Sequence, residues 1–581
     1  MGHFIKSTLQ PLKEIKLLWV LKVSILQFLL VHIANGVLSE LFYIILDLTN
    51  LPHINHTNFW EVLKNPLCLI ILVIYMISVA LFIHIEFYLL FAIIQNKPIL
   101  TKTSLKQLPQ YLKKFWQTIG GRQLPVFLAY ILVTIPVLHV GLASVLTQKI
   151  AIPDFIIGEL MKETKGQLLV YSLAILIAYI NIRLMLVIPL VSLKHLTAWQ
   201  SIKESWSLTR KNWSLLLRIL CLSLLILFSF SLIVMALIVI LSILDSSGNH
   251  FWLQSIFLTL MWEVTFLVTA FVTIGLALIF KHFLLGNPQT SRVNSQSHRR
   301  IAVELLLLVI ITTAIGFFSV SRLAFYQTNV DKTVIAHRGV VARGVENSIE
   351  ALEGAKTDKS DYVEMDLMLT KDRHFVVSHD NNLKRLAGID QNISDMTLEE
   401  VKKVGIEQGD FSSHISSFKD YANRAKALNL KLLIELKPNP KEPSDYVDLF
   451  LKEYQELGLS KEHKVMSLNL KVMEDINKKQ PTIETGHVIP IQFGIFGNEK
   501  VDFFVIEDLS YRPYLSLQAY WSKKKIYVWT INKSERIEHF LDKPIDGIIT
   551  DNPLLVRNIE SEMKEDKTIF DRVLRLLKEF N

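Results

Sequence analysis

The sequence predicts two folds in one chain, a bundle of membrane-spanning helices followed by an α/β barrel of eight parallel strands. Three observations carry this. The chain has 581 residues, 51% of them hydrophobic, and a mean hydropathy of +0.34, too long for one core and too apolar for an ordinary soluble protein. Apolar runs of about 20 residues, the length that crosses a bilayer core of about 30 Å, are confined to residues 1–330. From Asp331 onward, short β-branched runs alternate with charged amphipathic stretches, the pattern of a parallel α/β domain.

Charge divides in the same place. Residues 331–581 hold 37 Lys and Arg against 42 Asp and Glu, while the first 330 hold 25 against 12, so the halves carry −5 and +13. The pI near 9.0 therefore arises in the loops between spans. It is no sign of a nucleic-acid partner, which would need a basic face on a folded domain. The two cysteines, Cys68 and Cys221, both sit inside apolar runs, and a disulfide framework is excluded.

Seven spans are expected, at about 23–46, 67–94, 124–146, 168–193, 214–244, 252–280 and 301–320. Lys and Arg are retained on the cytoplasmic side, and here every other loop is basic. Lys6, Lys13, Lys16 and Lys22 precede the first span; Lys97 to Arg122, Lys194 to Lys211 and Lys281 to Arg300 mark the other basic segments. The alternate loops, Asp47 to Pro66 and the turn at Asp245-Ser246-Ser247-Gly248, are poor in positive charge. This predicts a multi-pass protein of the cell membrane with its N-terminus inside and the barrel extracytoplasmic. The first span reads as an uncleaved anchor, because no small-residue cleavage site follows a short apolar core. Two basic loops, Ser104–Trp116 and Trp199–Trp213, look alike and read as amphipathic helices in the headgroup region, in contact with membrane lipids. Glu40, Glu86, Arg183, Glu263 and Glu304 lie in or near spans; they form no joined pathway and are expected to be structural pairs.

In the second half the expected strands are Thr333–His337, Tyr362–Leu369, Leu430–Glu435, Lys464–Ser467, Glu484–Ile489, Val501–Ile506, Ile526–Ile531 and Gly547–Thr550, with Phe375–His379 as a hairpin partner of its predecessor. Eight βα units in about 250 residues is the size of a TIM barrel. His337, Glu364, Asp366, His379, Glu435, Lys437, Trp529, Thr530 and Asp551 all fall at or just past the C-terminal end of a strand, the active-site face of such a barrel.

Those residue types suit phosphodiester chemistry. Glu364 and Asp366, two apart on a strand, share a face, and neighbouring carboxylates of this kind suit Mg²⁺ or Ca²⁺. His337 and His379 are the acid and base candidates, since imidazole titrates near operating pH; which donates stays open. Arg338 and Lys437 offer the positive charge that a phosphodiester needs. Asn347 is a hydrogen-bonding candidate toward substrate or a metal-bound water, and Trp529 a candidate wall of the substrate pocket.

The segments His337-Arg338-Gly339, Glu346-Asn347-Ser348, Glu364-Met365-Asp366, Ser378-His379-Asp380, Glu435-Leu436-Lys437, Trp529-Thr530 and Thr550-Asp551-Asn552-Pro553 resemble, in order and spacing, the glycerophosphodiester phosphodiesterase family. The resemblance spans the whole second half. The first half resembles the membrane domain of some bacterial members by layout. The resemblance implies a TIM barrel, a divalent metal held by Glu364, Asp366 and Glu435, and a place for Glu346 in the site, near the metal or on the substrate. It further implies hydrolysis of glycerophosphodiesters to an alcohol and sn-glycerol 3-phosphate, with water or the neighbouring glycerol hydroxyl attacking. Val345 stands where the family often has proline, and Ser348 where it has threonine; these changes bear on the loop's rigidity. Alternative readings are a phosphodiesterase for lysophospholipid or lipoteichoic-acid glycerol phosphate, and a transporter or sensor with an appended barrel.

The expected organisation is a membrane domain over 1–322, a linker over 323–331, the barrel domain over 332–565 and a C-terminal amphipathic helix over 566–581. In that tail Ile569, Val573, Leu576, Leu577 and Phe580 share a helical face. Two sites are expected for it, the barrel's outer wall or anionic headgroups, the latter met by Lys567, Arg572, Arg575 and Lys578.

Overall fold

The structure, a computed structural model, describes residues 10–49, 53–54, 59–95, 108–134, 142, 144, 146, 154–161, 164–286, 298–324, 330–439, 442–459, 461–565 and 568–578. Two compact units emerge, one drawn from 1–48, 65–326 and 568–581 and the other from 49–64 and 327–567.

In the first unit, six helices among the described residues are long and apolar enough to cross a membrane. They include α1 (Leu17–Thr49), α2 (Pro66–Ile94), α4 (Thr164–Leu184), α6 (Trp213–Leu244), α7 (Phe251–Leu285) and α8 (His298–Ala324). The third expected span begins as α3 (Leu124–Thr134); most of the rest of 124–146 lies outside the described residues, as do Lys97, Lys102, Lys106 and most of the linker. Local chemistry sets the starts. Asn65 caps α2, its side chain accepting from the Leu67 N–H at 3.0 Å, with Pro66 where a missing N–H costs nothing.

The basic loop after α4 folds as α5 (Ala198–Lys211), opened by a capping box of Thr197 and Gln200. It buries Ala198, Ser201, Ser205 and Thr209. Ser205 donates to the Arg183 carbonyl at 2.6 Å and accepts from the Leu186 N–H at 3.2 Å, which satisfies backbone left open where α4 breaks before Val187. The ionisable groups of the spans meet hydroxyls and aromatic rings. Glu86 accepts from Ser144 at 2.5 Å, Glu263 accepts from Thr312 at 2.7 Å, and Arg183 lies against the rings of Tyr179 and Trp213. Glu40 is exposed, and the side chain of Glu304 lies outside the described set.

The tail does not pack on the barrel's outer wall. Its helix α9 (Ile569–Lys578) belongs to the first unit, where Val573 and Leu576 join Leu241, Phe257, Leu258, Met261, Trp262 and Leu323 in one buried cluster. The Phe570 N–H donates to the Gly248 carbonyl at 2.9 Å and the Ile569 N–H to Asn249 Oδ1 at 3.2 Å. Two donors that open the helix are thus satisfied by the turn between α6 and α7. Phe580 lies outside the described residues.

The second unit is the barrel. Its strands are β1 (Thr333–Ala336), β2 (Tyr362–Leu369), β3 (Lys431–Leu436), β4 (Lys464–Ser467), β5 (Glu484–Ile489), β6 (Phe503–Glu507), β7 (Lys525–Trp529) and β8 (Gly547–Thr550). Each pairs in parallel with the next, and β8 closes on β1. Phe375–Val377 pairs antiparallel with β2, the hairpin the sequence predicts. Ile335, Leu433, Met466, Val488, Phe503, Val505, Tyr527 and Ile549 fill the interior, and the alternate residues face the helices. A feature not anticipated from the sequence is an excursion after Phe375–Val377. It contains the strand pair Gly405–Gln408 and Phe411–His414, with a small core of its own that includes Leu383, Ile393, Val401, Ile406 and Ile415 and draws in Val345 and Met368. A further short antiparallel pair joins His53–Ile54 to Phe493–Gly494.

Candidate active site at the barrel mouth

Register brings the acidic residues together. Asp366 on β2 pairs with Glu435 on β3, and Glu364 lies two residues earlier on the same inward face. One oxygen from each of Glu364, Asp366 and Glu435 falls within 4.8 Å of the others, and all three residues are buried. Lys437 reaches Asp366 Oδ1 at 3.1 Å and Glu435 Oε1 at 3.0 Å. The Arg338 N–H donates to Glu364 Oε2 at 2.8 Å, and its guanidinium stands 3.6 Å from Asp366.

Burial, and then the charges of Asp366 and Glu435, push Glu364 well above the usual carboxylate range. Burial pushes Asp366 up as well, yet Lys437, His379 and Arg338, with the hydrogen bond from Asn347, outweigh it and hold Asp366 well below that range. Lys437 is held up by Asp366 and Glu435 against burial. Three buried carboxylates with so little neutralising charge are a donor set that fits a divalent cation, bound through oxygen.

The loop from Arg338 to Asn347 is bent to serve this cluster. Arg338 and Asn347 have φ of 55° and 61°, sparsely populated for residues with a Cβ. The Asn347 N–H closes the loop on the Arg338 carbonyl at 2.8 Å. Gly339 has φ 79°, and a Cβ there would stand 2.7 Å from the Ala351 backbone, so only glycine fits. The two departures from the family pattern are both absorbed. Val345 is fully buried in the small core of the excursion, and Ser348 caps the helix Ile349–Thr357, accepting from the Ala351 N–H at 3.1 Å.

Glu346 and Asn347 prove to be engaged with the protein itself. The Asn347 amide donates to Asp366 Oδ2 at 2.8 Å and accepts from the Asp366 N–H at 3.2 Å. Glu346, 1% exposed, accepts from Arg338 at 3.1 Å, from Arg385 at 2.5 and 2.9 Å and from Gln408 at 3.1 Å. Arg385 and Gln408 were missed from the sequence. Both sit in the excursion, and no short-range spacing links them to Glu346.

The two histidines are built alike. His337 Nδ1 lies 2.7 Å from Asp551 Oδ1, and Asn532 holds that carboxylate by donating to Oδ2 at 2.5 Å while accepting from the Asp551 N–H at 2.8 Å. His379 Nδ1 lies 2.7 Å from Asp380 Oδ1, and Arg385 donates to Asp380 Oδ2 at 2.6 Å. Burial raises Asp380, but the His379 hydrogen bond and the Arg385 charge hold it down at about 2. In each case a carboxylate engages Nδ1, which makes Nε2 the candidate nitrogen for proton transfer. His379, Asp380, Glu346 and Asn347 line one cavity, with Ser378, Asn382 and Leu383. Trp529 ends β7 half-buried against the interior layer, on the same end of the barrel.

Comparison with known proteins agrees with this geometry. Residues 5–318 match the family model described as the membrane domain of glycerophosphoryl diester phosphodiesterase, and residues 337–495 match the glycerophosphoryl diester phosphodiesterase family. A glycerophosphodiester phosphodiesterase of Caldanaerobacter subterraneus is 26% identical over 238 residues, covering 39% of this chain and 96% of the relative. One of Bacillus altitudinis is 28% identical over 261 residues, covering 40% and 99%. The structure of an Oleispira antarctica phosphodiesterase in complex with sn-glycerol-3-phosphate aligns over 39% of this chain and 96% of its own, at 19% identity and a TM-score of 0.36. The two family matches make the chain a phosphoric diester hydrolase that carries a multi-span membrane domain. The chain belongs to the glycerophosphodiester phosphodiesterase family, in the form that carries a membrane domain.

Proposed function

We propose that this enzyme hydrolyses glycerophosphodiesters to an alcohol and sn-glycerol 3-phosphate, with a divalent metal, at the extracytoplasmic face of the membrane. The observation that carries this reading is the juxtaposition of three buried strand-end carboxylates within 4.8 Å with two histidines, each clamped at Nδ1 by a carboxylate.

Glu364, Asp366 and Glu435 would hold the cation, Mg²⁺ or Ca²⁺, which when bound polarises a phosphoryl oxygen. The residues of the chain supply the rest. Arg338 and Lys437 offset the charge of the phosphodiester and align it. One imidazole Nε2 removes the proton of the attacking water or glycerol hydroxyl and the other protonates the leaving alkoxide; where the glycerol hydroxyl attacks, water then opens the cyclic phosphate with the two roles exchanged. Asp551 and Asp380 keep the rings in the tautomer with the proton on Nδ1 and stabilise the imidazolium. Glu346 acts as a positioning residue, since it ties Arg338 to Arg385 and so to Asp380. Trp529 offers an apolar wall beside the glycerol.

The charge pattern supports the extracytoplasmic side. Two turns poor in Lys and Arg carry later parts of the chain, because His53–Ile54 pairs with Phe493–Gly494 and the α6–α7 turn receives the first N–H groups of α9, which follows the barrel. For both turns to share a side, the chain must cross the membrane an even number of times between Ile94 and Trp213.

The test uses the full chain in lipid nanodiscs with glycerophosphocholine and glycerophosphoglycerol. Release of sn-glycerol 3-phosphate that stops on chelation and returns with Mg²⁺ or Ca²⁺ supports the reading; full activity in excess EDTA, with no metal by elemental analysis, sinks the metal site. For orientation, a cysteine at the exposed Lys356 should react with an impermeant maleimide in intact cells. Reaction only after lysis reverses the topology.

A further inference from the structure

Exposed apolar surface is unevenly spread over the barrel unit. Of the twelve large apolar side chains exposed among the described residues of Gln327–Lys567, eight fall between residues 491 and 521. Ile491, Phe493 and Ile495 alternate along one extended segment and are 41, 53 and 48% exposed. Leu517, Tyr520 and Trp521, on the helix Pro513–Trp521, are 57, 78 and 78% exposed. The segment and the helix form one surface. Tyr514 donates to the Gly494 carbonyl at 3.2 Å, and the Gln518 amide accepts from the Phe496 N–H at 2.8 Å and donates to the Phe496 carbonyl at 2.9 Å.

A soluble domain rarely carries such a contiguous apolar face without a use for it, and three features say what covers this one. The composition of Tyr, Trp, Phe, Leu and Ile, with the exposed Lys523 two residues after Trp521, is the chemistry that settles at the boundary of headgroup and acyl chain. The face is continuous with a membrane tether. Its segment Phe493–Gly494 pairs with His53–Ile54, which lies between a helix ending at Thr49 and one starting at Pro66. It also reaches the catalytic end of the barrel, because Ile491 and Leu509 stand two residues past the ends of β5 and β6.

We propose that this flank, Ile491–Ile495 with the outer face of the helix Pro513–Trp521, is a membrane-docking surface that seats in the interfacial layer of the bilayer. It leaves the rim of the active site next to lipid, from which a membrane-borne diester enters. The docking does not depend on the catalytic reading, and its test needs no turnover.

The experiment uses the full chain, with Cys68 and Cys221 replaced by alanine, in vesicles of phosphatidylcholine and phosphatidylglycerol. Single cysteines are introduced by Leu517→Cys, Trp521→Cys and, across the barrel, Lys356→Cys, and each is labelled with bimane. Doxyl-labelled lipid should quench the labels at 517 and 521, and aqueous iodide should fail to reach them, while the label at 356 shows the reverse. With two positions probed, failure of one variant to fold leaves the other to report. Labels at 517 and 521 that are open to iodide and untouched by doxyl lipid overturn the proposal. So does protection that disappears as protein density in the vesicles is lowered, because the face would then be covered by a second copy of the chain.

Discussion

Buried charge is handled differently at the barrel mouth and inside the membrane unit. At the mouth, Glu346 alone engages two arginines and a glutamine, and Glu364, Asp366 and Glu435 crowd together. In the spans, Glu86 accepts from Ser144 and Glu263 from Thr312, and Arg183 rests against two aromatic rings. Ionisable groups are costly in both settings. At the mouth, groups that share partners hold one another in place against mutual repulsion, a cost that packing alone has no reason to bear. That crowding marks the barrel mouth as the candidate site of the chemistry.

Four substitutions test that contrast. His337→Ala and His379→Ala should each cost about 10²-fold or more in turnover with circular dichroism unchanged; a folded variant with near-parental turnover removes that histidine from the reaction. Asp551→Asn and Asp380→Asn should cost about 10–100-fold, the scale on which partners that orient a functional side chain act, mainly in kcat and with an altered pH profile. A loss confined to KM would make these carboxylates substrate contacts.

Glu346→Gln probes the wiring itself. Removing one charge from a buried pair costs about 3–5 kcal/mol, so the barrel should show a clear drop in thermal stability as Arg338 and Arg385 lose their common partner. An unchanged melting temperature would mean that the arginines find other acceptors. Thr312→Val, which removes the bond to Glu263, should cost only about 0.6 kcal/mol and leave turnover untouched. A loss of turnover there would bring the membrane unit into the mechanism.

The barrel was legible because a parallel strand writes a short apolar run and a strand-end polar residue into consecutive positions. The eight strands appear where expected, with limits shifted by a residue or two, as at Phe503–Glu507 and Lys525–Trp529. Carboxylates two apart on β2 were readable for the same reason. Arg385, Gln408 and Asn532 were not, because their partners lie 39, 62 and 19 residues away and a long-range hydrogen bond leaves no local pattern. Glu346 and Asn347 were found by motif, but their engagement with Arg385, Gln408 and Asp366 was invisible. The tail shows the same limit, since the spacing of Ile569, Val573 and Leu576 says that the helix must bury a stripe and says nothing of the surface that receives it.

Docking of α9 on the α6–α7 turn changes what a protease can accomplish. The barrel segment leaves the membrane unit after α8 and returns to it through α9, so its polypeptide is moored at both ends. A single cut between Ala324 and Val330 would sever the covalent link and still leave the catalytic domain on the membrane for as long as Val573 and Leu576 stay buried. Shedding the domain takes more, a cut before Thr568 or the melting of a ten-residue helix too short to persist in water by itself, together with release of Phe493–Gly494 from His53–Ile54.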